Sequence, residues 1–122
     1  MRITDPDSFA HRYVAMWNEP EHGARRSAII ELFAPGAVHY TPTREVHGHA
    51  EMESRVRGSY EQWVKPGVHF FRAAGADAHH DAVRLTWEMV SAATGEIASV
   101  GTDFIVVDAT GRILADYQFI VS

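Results

Sequence analysis

The apolar positions of the first third of the chain recur at helical spacing. Phe9, Tyr13, Met16 and Trp17 form one stripe, which predicts a first helix. Asp5 can cap that helix and Pro6 suits its first position; Asn18-Glu19-Pro20 ends it. A second helix is expected from about Gly23 to Phe33, with Ile29, Ile30 and Phe33 inward and Ala34-Pro35-Gly36 as its stop. Ala37 to Thr41 reads as a short strand closed by Pro42, and Thr43 to Gly48 as a loop or small hairpin. A third helix is expected from His49 to Val64, because Met52, Val56, Tyr60 and Trp63 share a face. Gly58 costs that helix about 1 kcal/mol, which suggests a close approach there.

Beyond Pro66-Gly67 the pattern changes to β. Runs near 68–79, 81–92, 96–107 and 112–121 are punctuated by Gly75, Thr94-Gly95 and Ala109-Thr110-Gly111. Val83, Leu85, Trp87 and Met89 alternate with Arg84, Thr86 and Glu88, giving one apolar and one polar face. Helices first and long antiparallel strands afterwards predict an α+β fold, with three N-terminal helices on one face of a curved, mainly antiparallel sheet.

Composition narrows the functional classes. With 122 residues, 46% of them hydrophobic, the chain is expected to form a single domain, 1–122, with one core. It has no cysteine, which excludes disulfides, thiolate chemistry and cysteine-ligated metal centres. A net charge of −5 argues against a nucleic-acid partner. No run is apolar enough to span a membrane, and Met1 to Pro6 lacks an apolar signal core. The expectation is a cytoplasmic protein.

In order along the chain stand Arg12-Tyr13-Val14-Ala15-Met16-Trp17-Asn18, Ile30-Glu31-Leu32-Phe33-Ala34-Pro35-Gly36-Ala37-Val38, Pro42 with Gly48, Gly101-Thr102-Asp103-Phe104, and Gly111-Arg112-Ile113. This set resembles the nuclear transport factor two-like superfamily, in particular its SnoaL-like and ketosteroid-isomerase-like branch. The resemblance covers nearly the whole chain. It implies a cone: a bent sheet and three helices around a deep pocket, commonly as a homodimer, with the outer, more polar sheet face as the dimer surface. One fold hosts many chemistries, so the activity must come from the site.

Asp103 is the first candidate. If Ala93-Thr94-Gly95 is a three-residue loop, Asp103 shares the face of Leu85 and Trp87; a two-residue turn reverses it. On the reversed face it would meet solvent or an arginine such as Arg84. The resemblance favours the inward face, where ketosteroid isomerases hold an aspartic acid. Apolar surroundings keep that carboxyl protonated, so that it donates a hydrogen bond to a substrate oxyanion. Tyr13, which the resemblance aligns with the isomerases' oxyanion-hole tyrosine, is the second candidate, and core packing is its other role. The isomerases place their general base just before the proline that closes the first strand. That position here is Thr41, which cannot take a carbon acid's proton, so ordinary ketosteroid isomerase activity is not expected.

Asp116 is a substitute. A four-residue loop between the last two strands would bring it near Asp103 on the same face, and two carboxyls in a dry pocket push one pKa up. His39 is a second possible base, since strand alternation aims either His39 or Tyr40 inward. SnoaL-type cyclases and limonene-epoxide-hydrolase-type enzymes carry an acid where this chain has Gln118, and the hydrolase's earlier arginine and aspartate correspond to Leu85 and Trp87. Epoxide hydrolysis by that set is therefore disfavoured. Trp17, Tyr40, Tyr60, Trp63, Leu85, Trp87 and Gln118 are the expected pocket lining. The eight histidines, including His47-Gly48-His49 and His79-His80, lack convergent spacing for a metal site, and Arg25-Arg26 and Arg55-Arg57 read as solvated helix faces.

The sequence therefore predicts an aromatic-lined pocket for a small hydrophobic, carbonyl-bearing molecule, with no cofactor. Isomerase-like or cyclase-like proton transfer is one outcome. A non-catalytic ligand-binding or dimerisation module is the alternative.

Overall fold

The computed structural model describes residues 3–122, so the reading of the extreme N-terminus as free of a signal falls partly outside the described residues. Helix α1 spans Pro6–Asn18. Asp5 caps it by accepting from the Ser8 N–H at 3.0 Å, and Phe9, Tyr13, Val14, Met16 and Trp17 form its buried face. Asn18 ends the helix and ties it to the sheet. Its side-chain amide donates to the Phe71 carbonyl at 2.6 Å and accepts from the Phe71 N–H at 2.8 Å. Helix α2, His22–Leu32, is capped by the Glu21 carboxylate, which accepts from Gly23 and Ala24.

Two boundaries differ from expectation. Strand β1, Phe33–Thr41, follows α2 directly, so Ala34-Pro35-Gly36 lies inside a strand. The pairing with its neighbour shifts between Phe33 and Val38, so the ladder is irregular where Pro35 lacks an N–H. Strand β2, Arg44–His47, completes the small hairpin with β1. Helix α3, Gly48–Ser59, ends five residues before the expected Val64, because Tyr60–Val64 widens into a π segment, with Lys65 N–H donating to the Tyr60 carbonyl at 2.8 Å. Nothing lies near Gly58, so its cost to the helix has no packing reason.

Four long strands follow: β3 (His69–His79), β4 (Ala82–Ser91), β5 (Ile97–Val107) and β6 (Ile113–Ile120). The sheet order is β2-β1-β6-β5-β4-β3, antiparallel throughout except for the parallel β1–β6 pair. Three helices on this sheet give the expected α+β fold. Gly75 is not a turn but part of a bulge within β3, where its φ of 135° suits glycine. The core joins α1, Ile29, Leu32, Met52 and Val56 of the other helices, and the inner residues Val83, Leu85, Ile105, Val107 and Ile113 of the sheet.

Two bulges decide which residues face that core. The β4–β5 connection holds four residues, 92–95, between the paired Ser91 and Glu96. Without correction, that loop would pair Leu85 with Thr102 and turn Asp103 outward. The register shifts once between Met89 and Val90, and Leu85 then pairs with Asp103. The β5–β6 connection closes on the Asp108–Arg112 pair with three residues, 109–111, and Gly111 has φ 86°. A second shift between Val106 and Val107 places Asp116 opposite Ile105, diagonal to Asp103 on the inner face. Both acids thus reach the expected face by a different route from the one the turn lengths suggest.

Candidate functional site

The two acids meet at Tyr13. Its hydroxyl lies 2.6 Å from Asp116 Oδ2 and 3.0 Å from Asp103 Oδ2. Asp116 Oδ2 also lies 2.8 Å from His39 Nδ1, because β1 and β6 pair residue 39 with residue 116. Trp87 Nε1 donates to Asp103 Oδ1 at 2.8 Å. Tyr13, His39, Asp103 and Asp116 are each at most 1% exposed.

Trp87 can reach Asp103 because residue 101 is glycine. Trp87 and Gly101 are cross-strand partners, and the indole lies directly on the glycine. A Cβ at 101 would stand 2.1 Å from a ring carbon, far inside contact distance. The glycine is thus a seat for the indole that orders Asp103.

The electrostatics follow from dryness. Burial raises the Asp103 pKa well above the carboxylate range, and the neighbouring Asp116 charge raises it further. Burial also raises Asp116, opposed by its hydrogen bonds, that from Tyr13 among them. Burial and the two acids hold the Tyr13 hydroxyl protonated far above its ordinary range. His39 is lowered to about 4 by burial first and then by the Arg55 charge, which keeps it neutral. The proton inventory then closes. A phenol has one proton, and the shorter contact directs it to Asp116; a protonated Asp103 donates to the phenol oxygen; a neutral His39 with its proton on Nδ1 donates to Asp116. Asp116 is the acceptor at the centre, and its Oδ1 and the His39 Nε2 have no partner.

A cavity of about 400 Å³ lies against this cluster. Tyr13, Trp17, Trp63, Phe71, Trp87 and Met89 give it an aromatic and apolar wall; Thr41, Arg44, Arg55, Gln62 and Gln118 give it polar edges. Of the cluster, Tyr13 and Trp87 reach the cavity wall, and Asp103, Asp116 and His39 lie behind them. Gln118 pairs directly with Asp103 across the strands.

Three expected lining residues lie elsewhere. Tyr40 is on the outer face, its ring 5.2 Å from that of Tyr117, because His39 takes the inward position of the alternating strand. Tyr60 packs under the Arg25 guanidinium at 4.9 Å rather than facing the cavity. Leu85 is fully buried within the core. Conversely, Arg55, expected on a solvated helix face, is half-buried, lies 5.0 Å from the Trp17 ring and lines the cavity. Arg44 and Gly101 also lie outside the expected site. Gly101 has a usable signal: a glycine two residues before an inward carboxyl, opposite a tryptophan, once the register is known.

His39, Asp103 and Asp116 present three potential ligand atoms within 4.8 Å of one another. Protons already link these atoms through Tyr13 and the His39–Asp116 contact, and the trio is sealed from the cavity. A catalytic metal needs an open coordination position, which this arrangement does not offer. The other paired histidines are used locally: His49 Nε2 meets the Phe33 carbonyl at 2.7 Å, and His79 and His80 contact each other on the surface.

No family model matches the chain, and no curated protein matches it significantly. Solved structures share its fold. A proposed isomerase of the SnoaL-like family from Agrobacterium tumefaciens superposes with a TM-score of 0.85 at 23% identity, covering 94% of this chain and 96% of that one. A proposed polyketide cyclase from Sinorhizobium meliloti gives 0.68 at 13% identity, covering 92% and 94%. A SnoaL-like protein of unknown function from Burkholderia thailandensis gives 0.69 at 15% identity over the full length of both chains. The chain therefore shares the fold of these structures, the nuclear transport factor two-like fold.

Proposed function

We propose that the protein binds a small hydrophobic molecule bearing a carbonyl group in the tryptophan-lined cavity, without a cofactor, and promotes proton transfer at that carbonyl. The observation that carries this reading is Tyr13, a residue of the cavity wall whose hydroxyl contacts two fully buried carboxyls at 2.6 and 3.0 Å. Tyr13 hands its proton toward the developing oxyanion and takes the one stored on Asp103. Asp116, sealed behind Tyr13, accepts from the phenol and holds it in place, and the α-proton released by the ligand leaves to solvent. His39 is too weak a base for that step and instead orients Asp116. Isomerisation and aldol-type cyclisation both begin with this enolisation. The fold neighbours described as a proposed isomerase and a proposed cyclase are consistent with it.

One observation favours a second reading. Asp103, Asp116 and His39 are sealed behind Tyr13 and Trp87, as expected of a rigid floor in a non-catalytic binder. Exchange of α-protons separates the two. In D2O, with 2-tetralone as probe, the wild type is expected to accelerate α-deuteration followed by NMR, and Asp103→Asn to reduce the rate by about 10²-fold. Saturable binding of the ketone with no acceleration would establish the binder.

We further propose that the protein acts in the cytoplasm as a homodimer. No helix among the described residues is long and apolar enough to cross a membrane. The outer sheet face, expected to be the more polar, exposes Phe104, Leu114, Tyr117 and Phe119, each 45% or more accessible. Such a contiguous apolar patch suits a second copy. Sedimentation equilibrium is expected to give a dimer that Phe104→Glu dissociates; a wild-type monomer would refute the pairing.

A further inference from the structure

Resting on the reading of the cavity as a ligand site, we infer that the ligand is an anion: a hydrophobic keto acid whose carboxylate is held by Arg44 and Arg55. Both arginines line the cavity. Neither takes part in any of the ion pairs among the described residues. Arg26, Arg57, Arg72 and Arg84 each have a carboxylate within 4.0 Å, and Arg12, Arg25 and Arg112, which also have no ion pair among the described residues, do not line the cavity. Arg55 Nε is buried without a hydrogen-bond partner. A guanidinium half-withdrawn from water with an unused N–H is costly unless something else satisfies it.

The local charges do not cancel. No acidic residue is among the described residues lining this cavity; behind its wall, Asp103 is held neutral and Asp116 is committed to Tyr13 and His39. Two guanidinium charges therefore face at most one carboxylate charge. Burial and then the neighbouring Arg44 charge lower the Arg55 pKa, and both arginine charges add to the burial that lowers His39. Like charges gathered at one place act in this way. A ligand carboxylate supplies the missing negative charge and a planar acceptor matched to a guanidinium fork. The cavity then has two polar ends. The Tyr13 hydroxyl takes the carbonyl, the arginines take the carboxylate, and Trp17, Trp63 and Trp87 line the space between. Trp17 also carries Arg55 on its ring face, so the charge is pre-positioned.

All three tryptophans of the chain line the cavity, so intrinsic fluorescence reads occupancy directly. The probes are 6-acetyl-2-naphthoate, its methyl ester, and 2-acetylnaphthalene. The keto acid is expected to bind about tenfold or more tightly than either neutral ketone. That advantage should shrink as salt is raised and disappear in Arg55→Gln. Arg44→Gln, at an exposed position where folding is not at risk, should lose part of it. Equal or tighter binding of the neutral ketones by the wild type would overturn the anion inference and leave the cavity a ligand site. Failure of all three probes to saturate would overturn both.

Discussion

The sheet carries two aspartates in opposite circumstances. Asp77, on the outer face of β3, lies directly across from Arg84 and accepts from its guanidinium at 2.7 and 3.0 Å in full solvent. Asp103, on the inner face of β5, is wholly buried between Tyr13 and Trp87. The arginine bond holds Asp77 below the usual carboxylate range, whereas burial holds Asp103 far above it. The side chains are chemically identical and lie two strands apart. What separates them is strand parity, which decides whether a carboxyl meets water and a cation or an aromatic wall. The inner face converts an acid into a proton store, and the outer face leaves it a solvated ion.

The contrast depends on the indole that holds Asp103, and its seat is the place to break it. Gly101→Ala puts a methyl carbon 2.1 Å from the Trp87 ring, so the indole must leave its position. Its N–H then leaves Asp103 Oδ1, and the inner acid loses its ordered donor. Overpacking of this kind costs about 2 to 3 kcal/mol. Urea unfolding should show that loss, and tryptophan fluorescence should shift as the ring moves. An unchanged midpoint with unchanged fluorescence would mean that the indole does not rest on residue 101.

Much of this arrangement is legible in the sequence. The helical stripe of Phe9, Tyr13, Met16 and Trp17 and the alternation of β4 follow from burying one face, and both elements stand where the pattern puts them. Asp103, Tyr13, Asp116 and His39 all emerge as candidates from the sequence, partly through the resemblance. Their mutual contact is not derivable there, because it depends on two bulges. The turns actually formed, of four and three residues, would alone give the wrong parity for both acids, and nothing in Ile97-Ala98-Ser99 or Ile113-Leu114-Ala115 announces an extra residue. The arginines escape notice for a related reason. Arg55 sits on a helix whose apolar stripe is Met52 and Val56, and a flanking residue looks solvated until the cavity beside it is known. The end of α3 is hidden as well, since the π segment preserves the apolar spacing while turning Trp63 toward the cavity.

The smaller effect sharpens the comparison through pH, because the two aspartates must contribute with opposite signs. An acid whose folded pKa is raised is bound to its proton more tightly in the folded state. Its contribution is fully present below the unfolded value near 3.9 and is lost as pH rises toward the folded value. Asp103 therefore makes wild-type stability fall by about 1.4 kcal/mol for each pH unit through that window. Asp103→Asn keeps an amide that accepts from Trp87 and donates toward Tyr13, so it mimics the protonated acid and should flatten the slope by one proton. Asp77 works the other way. Its lowered pKa gives a contribution present above the unfolded value and lost as pH falls through the folded one. Asp77→Asn should thus be slightly less stable than wild type at neutral pH and equal to it in acid, the difference kept small by solvent screening. Urea midpoints of the three proteins between pH 3 and 8 test both signs together. A wild-type slope that survives in Asp103→Asn would place the proton store on Asp116 instead. A stability gain in Asp77→Asn at neutral pH would show that the Arg84 pair is no stabilising contact, and that parity alone does not divide the two faces.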